Sequence, residues 1–145
     1  MINKIYIGSP FFNEQQLKVI EDIKAACDSL EIPYFSPKDA NLFKKTDPPE
    51  KAKECFDGNI KAMNECDLMI AVIDDFDAGT MFEMGYTYNL GNSILAYSDV
   101  PGRKMNLMLS QSCIGFANGR GELVDKLVRI KSDNFEPEKF KGENI

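Results

Sequence analysis

An α/β architecture built on a parallel sheet is predicted by three features of the sequence. Short apolar runs, Ile5-Tyr-Ile7, Leu68 to Ile73 and Ser93 to Tyr97, alternate with longer segments whose apolar residues recur at helical spacing. The chain opens as strand, glycine turn, helix, strand. The first and central runs end in Gly8-Ser-Pro10 and Asp74-Asp75, loops of the kind that open α/β sheets carry at their carboxyl edge. Together these predict a flavodoxin-like three-layer α/β/α fold with a mostly parallel five-stranded sheet, in one domain over residues 1–145.

In chain order, Lys4 to Gly8 reads as a short buried strand. A helix starts at Asn13 or Glu14, with Leu17, Ile20, Ile23, Cys27 and Leu30 along its apolar side. Ile32 to Phe35 is a second strand. Residues 36–49 are polar with three prolines, read as a loop with one helical turn around Ala40 to Phe43; such a loop is either functional or a surface insertion. Glu50 to Cys66 reads as a helix with Ala52, Phe56, Ile60 and Met63 on one face, Leu68 to Ile73 as the central strand, and Thr80 to Leu90 as a helix stopped by Gly91. Ser93 to Tyr97 is the fourth strand, and Asn106 to Leu109 either a fifth strand or the start of an irregular loop. Glu122 to Ile130 is a last short helix, followed by a charged tail anchored by Phe135 and Phe140.

Composition narrows the function. A net charge of -6 argues against general nucleic-acid binding, which needs a basic face. No apolar run reaches membrane-span length and no secretory signal precedes the first strand, so a cytoplasmic location is the expectation. The four cysteines form no CxxC pair and histidine is absent, so no metal site is expected, and Cys27, Cys55 and Cys66, in or beside helix-like apolar patterns, read as buried free thiols. Without histidine, Ser-His and Cys-His nucleophilic arrangements are excluded within one chain, and acid–base work falls to carboxylates, tyrosine or lysine.

The stretch Asp77-Ala-Gly-Thr-Met-Phe-Glu83-Met-Gly-Tyr86 concentrates the chemistry. It places Glu83 about one turn into a helix at the carboxyl edge of the sheet, where the helix dipole is expected to favour the ionised form. Asp77 lies in the loop before it, as a helix cap or as a second carboxylate of the same crevice. An ionised carboxylate on a fixed backbone in that position is a possible nucleophile.

Four motifs then carry a resemblance: Ile5-Tyr-Ile-Gly8 with Phe11-Phe12 after it, the junction from Asn59 through Met63 to Cys66-Asp67, the Asp77–Tyr86 stretch, and Asn106-Leu-Met108. With the tail around Asn134-Phe135 and Pro137 to Phe140, the chain resembles nucleoside 2-deoxyribosyltransferases along nearly its whole length. The resemblance implies exchange of the base of a 2′-deoxyribonucleoside through a covalent deoxyribosyl-glutamate, with a free nucleobase as second substrate and no cofactor. It implies Glu83 as nucleophile, Tyr6 as its hydrogen-bond partner, and Asp77, Asn59, Asn106, Gly8 and Phe12 as substrate-binding positions. It further implies a homo-oligomer in which the asparagine matched by Asn106 comes from a neighbouring subunit. One residue departs from the pattern: the family usually has an aspartate, the candidate acid for the leaving base, where this chain has Asn59. Asp57, Asp74, Asp75 or water are the candidates to replace it. Two other functions use the same pocket: an N-glycoside hydrolase of deoxynucleosides or their 5′-monophosphates, and a binding module without catalysis.

Overall fold

The structure, a computed structural model, describes residues 2–145. Its strands are β1 (Ile5–Gly8), β2 (Tyr34–Phe35), β3 (Leu68–Val72), β4 (Ser93–Ser98) and β5 (Gly115–Asn118). The helices are α1 (Glu14–Ser29), α2 (Pro37–Ala40), α3 (Pro49–Glu65), α4 (Ala78–Asn89), α5 (Leu107–Ser112) and α6 (Gly119–Lys131). All strand pairings are parallel, in the order β2-β1-β3-β4-β5, the flavodoxin-like arrangement.

Alternation along β1 divides the core between the two sheet faces. Ile5 and Ile7 pack with Val19 and Ile23 of α1 and Leu123 and Leu127 of α6. Tyr6 points to the opposite face, with Ala62 and Met63 of α3, Met69 of β3 and Met84 of α4. β3 is buried at every position, as a central strand covered on both faces must be. Cys27, Cys55 and Cys66 are buried free thiols, as expected. Among the described residues no helix is long and apolar enough to cross a membrane.

Two segments differ from the expectation. Asn106 to Leu109 is neither strand nor irregular loop: Asn106 caps α5, its Oδ1 accepting from the Met108 amide at 2.8 Å. The fifth strand lies further on, at Gly115–Asn118, where Gly115 makes room for the Phe135 ring; a Cβ there would come within 2.8 Å of it. The helical turn in the second loop is also displaced, to Pro37–Ala40, because Pro37 at the first helical position pre-sets the turn.

Past β3 the chain makes a tight turn in which Asp75 and Phe76 adopt positive φ of 69° and 44°. Asp74 holds this turn. Its Oδ1 accepts from Ser98 Oγ at 2.6 Å and from Arg103 Nε at 3.0 Å, and its Oδ2 accepts from the Asp99 amide at 2.9 Å. Replacing Asp74 by alanine would leave a half-buried guanidinium and two further donors without their acceptor. Asp74→Ala should therefore lower unfolding free energy by about 2–3 kcal/mol, measurable by urea denaturation.

Candidate active site

β1 and β3 are adjacent strands whose connections run to opposite sides, so a crevice opens at their carboxyl ends. Six elements or loops converge there into a cleft of about 260 Å³. Glu83 of α4 forms part of its wall, and the Tyr6 hydroxyl donates to Glu83 Oε2 from beneath. Tyr6 is 1% exposed, so its hydroxyl needs a partner and Glu83 supplies it. Gly8 ends β1 at the closest approach: a Cβ there would sit 2.2 Å from Met69 Cε and 3.7 Å from Glu83 Oε1.

Asp77 has both parts foreseen for it. Its Oδ2 caps α4, accepting from the Thr80 amide at 3.0 Å and Thr80 Oγ1 at 3.1 Å, and the residue also lines the cleft. Phe12, 75% exposed, stacks on Phe11 at 5.4 Å between ring centroids. Gln16 stabilises this corner: its Oε1 accepts from the Phe12 amide at 2.7 Å, and its Nε2 donates to Asp75 at 2.9 Å, tying the β1 loop to the β3 loop. Asn59 of α3 lines the cleft, its Oδ1 accepting from Asn41 Nδ2 at 2.9 Å.

The structure thus brings Tyr6, Gly8, Phe12, Asn59, Asp77 and Glu83 together. It does not bring Asn106 to them within one chain. Asn106 lies with Phe76, Met81, Leu109 and Ile145 around a separate shallow surface depression. Asp57, Asp74 and Asp75 are not among the residues lining the cleft. Asp57 is exposed and paired with Lys53 at 2.5 Å. Among the lining residues outside the predicted set, three bear on the chemistry. Asn41 gave no signal, since nothing local marks an asparagine in a polar loop. Phe56 and Phe82, paired at 5.9 Å, are 47% and 52% exposed and cover the open side of the cleft. Phe56 was legible only as part of an apolar helix face; that face runs from Met63 in the core to exposed Phe56 at the cleft.

The electrostatics of Glu83 differ from the dipole expectation. Burial raises its carboxyl, the hydrogen bond from Tyr6 lowers it, and the Asp77 charge raises it again, leaving it at about 7. Glu83 is in the second turn of α4, where the dipole effect has faded, so desolvation dominates. Burial and the neighbouring Glu83 carboxylate push the Tyr6 phenol far above its ordinary range.

A doubly wound parallel sheet with a half-buried carboxylate at its switch point, facing an aromatic cleft, defines an α/β protein with a crevice of ligand-binding type at the carboxyl edge of its strands. More particularly, the chain belongs to the nucleoside 2-deoxyribosyltransferase family, whose model matches residues 5–131. That family is one of nucleoside-modifying pentosyltransferases. Among solved structures, the 2-deoxyribosyltransferase of Bacillus psychrosaccharolyticus superposes with a TM-score of 0.80 at 26% identity, covering 93% of this chain and 98% of that one. A conserved protein of Enterococcus faecalis V583 shares the fold with a TM-score of 0.72 at 16% identity over 90% and 99% of the two chains. So does the CMP N-glycosidase of Clostridium botulinum, with a TM-score of 0.56 at 19% identity over 87% and 98%. No curated protein matches the sequence.

The raised carboxyl has a consequence for stability. Its folded value of about 7 lies above the ordinary 4.5, so the folded state binds the extra proton between those limits. Stability is therefore highest below pH 4.5 as far as this group is concerned, and falls as pH rises to about 7. Glu83→Gln removes the charge and keeps a carbonyl acceptor for Tyr6. It should stabilise the fold by about 1–3 kcal/mol at pH 8 and have little effect at pH 4.5, read from denaturation midpoints at the two pH values.

Proposed function

We propose that the protein exchanges the base of 2′-deoxyribonucleosides through a deoxyribosyl ester on Glu83. The observation that carries this reading is the Tyr6–Glu83 pair at the floor of an aromatic cleft. Ionised Glu83 attacks C1′ while the C1′–N bond breaks and its electron pair leaves with the base. A second base then attacks C1′ from the face the first one left and expels the Glu83 carboxylate. Two inversions give net retention. A sugar without a 2′-hydroxyl suits this route, because its C1′ cation forms more readily.

The remaining residues divide the substrate between them. Tyr6 holds Oε2, which leaves Oε1, the oxygen facing Gly8, to form the bond. Asp77 orients the sugar hydroxyls, Asn59 meets the edge of the base, and Phe12, Phe56 and Phe82 cover its faces. No lysine or arginine is among the residues lining the cleft, which favours an uncharged nucleoside over a 5′-monophosphate. The chemistry calls for neither metal nor redox cofactor. Asn106 serves the site of a neighbouring copy, a reading supported by exposed Leu107 and Met108 beside it, at 53% and 77%. The working form is then a homo-oligomer with shared sites.

Enzyme mixed with a deoxynucleoside and no acceptor base should gain the mass of a deoxyribosyl group at Glu83, located by peptide mass spectrometry. Glu83→Ala should lower exchange by about 10³-fold or more. A label on another residue, or wild-type exchange by this variant, rules the assignment out. Released free deoxyribose instead of base exchange would identify a hydrolase.

Because the nucleophile must be ionised, kcat/KM should fall by about tenfold per pH unit below the Glu83 value of about 7. A pH–rate profile flat down to pH 5 contradicts this.

For the shared site, Glu83→Ala and Asn106→Ala should each be nearly inactive alone and regain activity when dissociated and mixed, because mixed oligomers contain one intact site. Failure to complement, with a monomer by light scattering, removes the shared-site reading.

A further inference from the structure

We infer that this cleft expels its base as an anion held by amide hydrogen bonds, and therefore acts on nucleosides whose base has an acidic glycosidic nitrogen, the pyrimidinediones first among them. The inference rests on Glu83 being the nucleophile, and it concerns the other side of the bond.

A nucleobase leaves C1′ by one of two routes. It is protonated on a ring atom and departs neutral, or it departs with the bonding electron pair as an anion that donors must stabilise. The first route needs an acid beside the base. Of the residues lining the cleft, only Asp77 and Glu83 carry carboxyl groups. Glu83 is engaged with Tyr6 and faces the sugar. Asp77 is engaged through Oδ2 as the cap of α4. Asp74 is enclosed by Ser98, Asp99 and Arg103, and Asp75 is bonded to Gln16.

What the cleft offers is a pair of side-chain amides. Asn41 Nδ2 donates to Asn59 Oδ1 at 2.9 Å, which occupies the carbonyl of Asn59 and turns its Nδ2 hydrogens into the free donors of the pair. The sequence makes space for this contact. A Cβ on Gly58 would come within 2.7 Å of both polar atoms of the Asn41 amide, so only glycine beside Asn59 lets Asn41 reach it.

A donor aimed at a base gains strength as charge develops there, since a hydrogen bond to an anion is about twice as strong as one to a neutral acceptor. It therefore stabilises the departing base more than the bound nucleoside, the condition for accelerating the step. The aromatic walls displace water and strengthen the same interaction. In the step itself, Glu83 Oε1 bonds to C1′, the C1′–N bond breaks, and the electron pair spreads from the ring nitrogen onto the adjacent carbonyl oxygen. The anion takes a proton from solvent, and the incoming base gives one up on its way to C1′, so protons balance over the exchange. Uracil and thymine suit this route. Cytosine, a weaker N–H acid that leaves readily only after ring protonation, does not.

The test uses the full-length enzyme and single-turnover formation of the Glu83 ester, quenched and weighed by mass spectrometry. The substrates are 5-fluoro-2′-deoxyuridine, 2′-deoxyuridine, thymidine and 2′-deoxycytidine. The rate should rise with the acidity of the departing N–H, spanning about tenfold or more from thymidine to the fluorinated substrate. Deoxycytidine should be the slowest. Asn59→Asp, which installs an acid, should flatten the series and raise the deoxycytidine rate by about 10²-fold. Asn41→Ala, which frees the Asn59 amide to turn, should slow ester formation by about tenfold with KM little changed. Ester formation at rates independent of N–H acidity, or deoxycytidine as fast as deoxyuridine, overturns the inference alone. No Glu83 ester with any of the four overturns the transfer reading and this inference with it.

Discussion

The hydrogen bond from Tyr6 to Glu83 joins β1 to α4 across the carboxyl edge of the sheet. Much of the local structure exists to permit it. Tyr6 must face α3 and α4, opposite Ile5 and Ile7, which strand alternation secures. Gly8 must lack a side chain, or the end of the Met69 side chain beside the carboxylate would have to move. Asp77 must end the loop where α4 begins, so that Glu83 falls on the turn above the strand. Asp74 keeps the other end of that loop on β4 through Ser98 and Asp99. The result is a carboxylate whose charge is costly to hold and whose position is strongly determined.

The sequence revealed the sheet more completely than the cleft. The apolar runs at β1, β3 and β4 are continuous because those strands are covered on both faces, and no helical period competes with them. The last strand escaped because Leu107-Met-Leu109 suits a helix or a strand equally, while Gly115–Asn118 carries a glycine and an asparagine in its four residues. Gly8 and Asp77 were legible locally as a strand end and a helix cap, whereas Glu83 stood out only through the Asp77–Tyr86 stretch and Tyr6 only through the family resemblance. Asn41 was not legible, because its importance comes from a contact with Asn59 across 18 residues and from the missing Cβ of Gly58. The ionisation of Glu83 was misread for a related reason. Helix position is visible in a sequence, whereas the burial that outweighs it is a property of the assembled core.

The cleft is also defined by contrast with a larger cavity of about 390 Å³ beyond β4 and β5. That cavity has Arg103, Lys126, Lys139 and Lys141 around it, of which Lys126 pairs with Glu138 at 2.6 Å and Arg103 with Asp74 at 3.0 Å. The smaller cleft has no cation among its lining residues, flat aromatic walls and amides in place of charges. Size favours the first and chemistry the second. A planar, uncharged, hydrogen-bonding ring is matched by aromatic faces and amide edges without neighbouring cations, which the smaller cleft offers and the larger cavity does not.

The burial of Tyr6 against a carboxylate also gives the molecule an optical character. The chain contains five tyrosines and no tryptophan, so its ultraviolet emission comes from phenols alone. A phenol hydrogen-bonded to a carboxylate passes its proton across on excitation and is quenched, which leaves Tyr6 dark while Glu83 is free. An ester on Glu83, as proposed, would leave its oxygens too weakly basic to accept that proton, and Tyr6 would brighten. Occupancy of that proposed state would then be written into the intrinsic fluorescence of the protein, readable in real time without label or coupled enzyme.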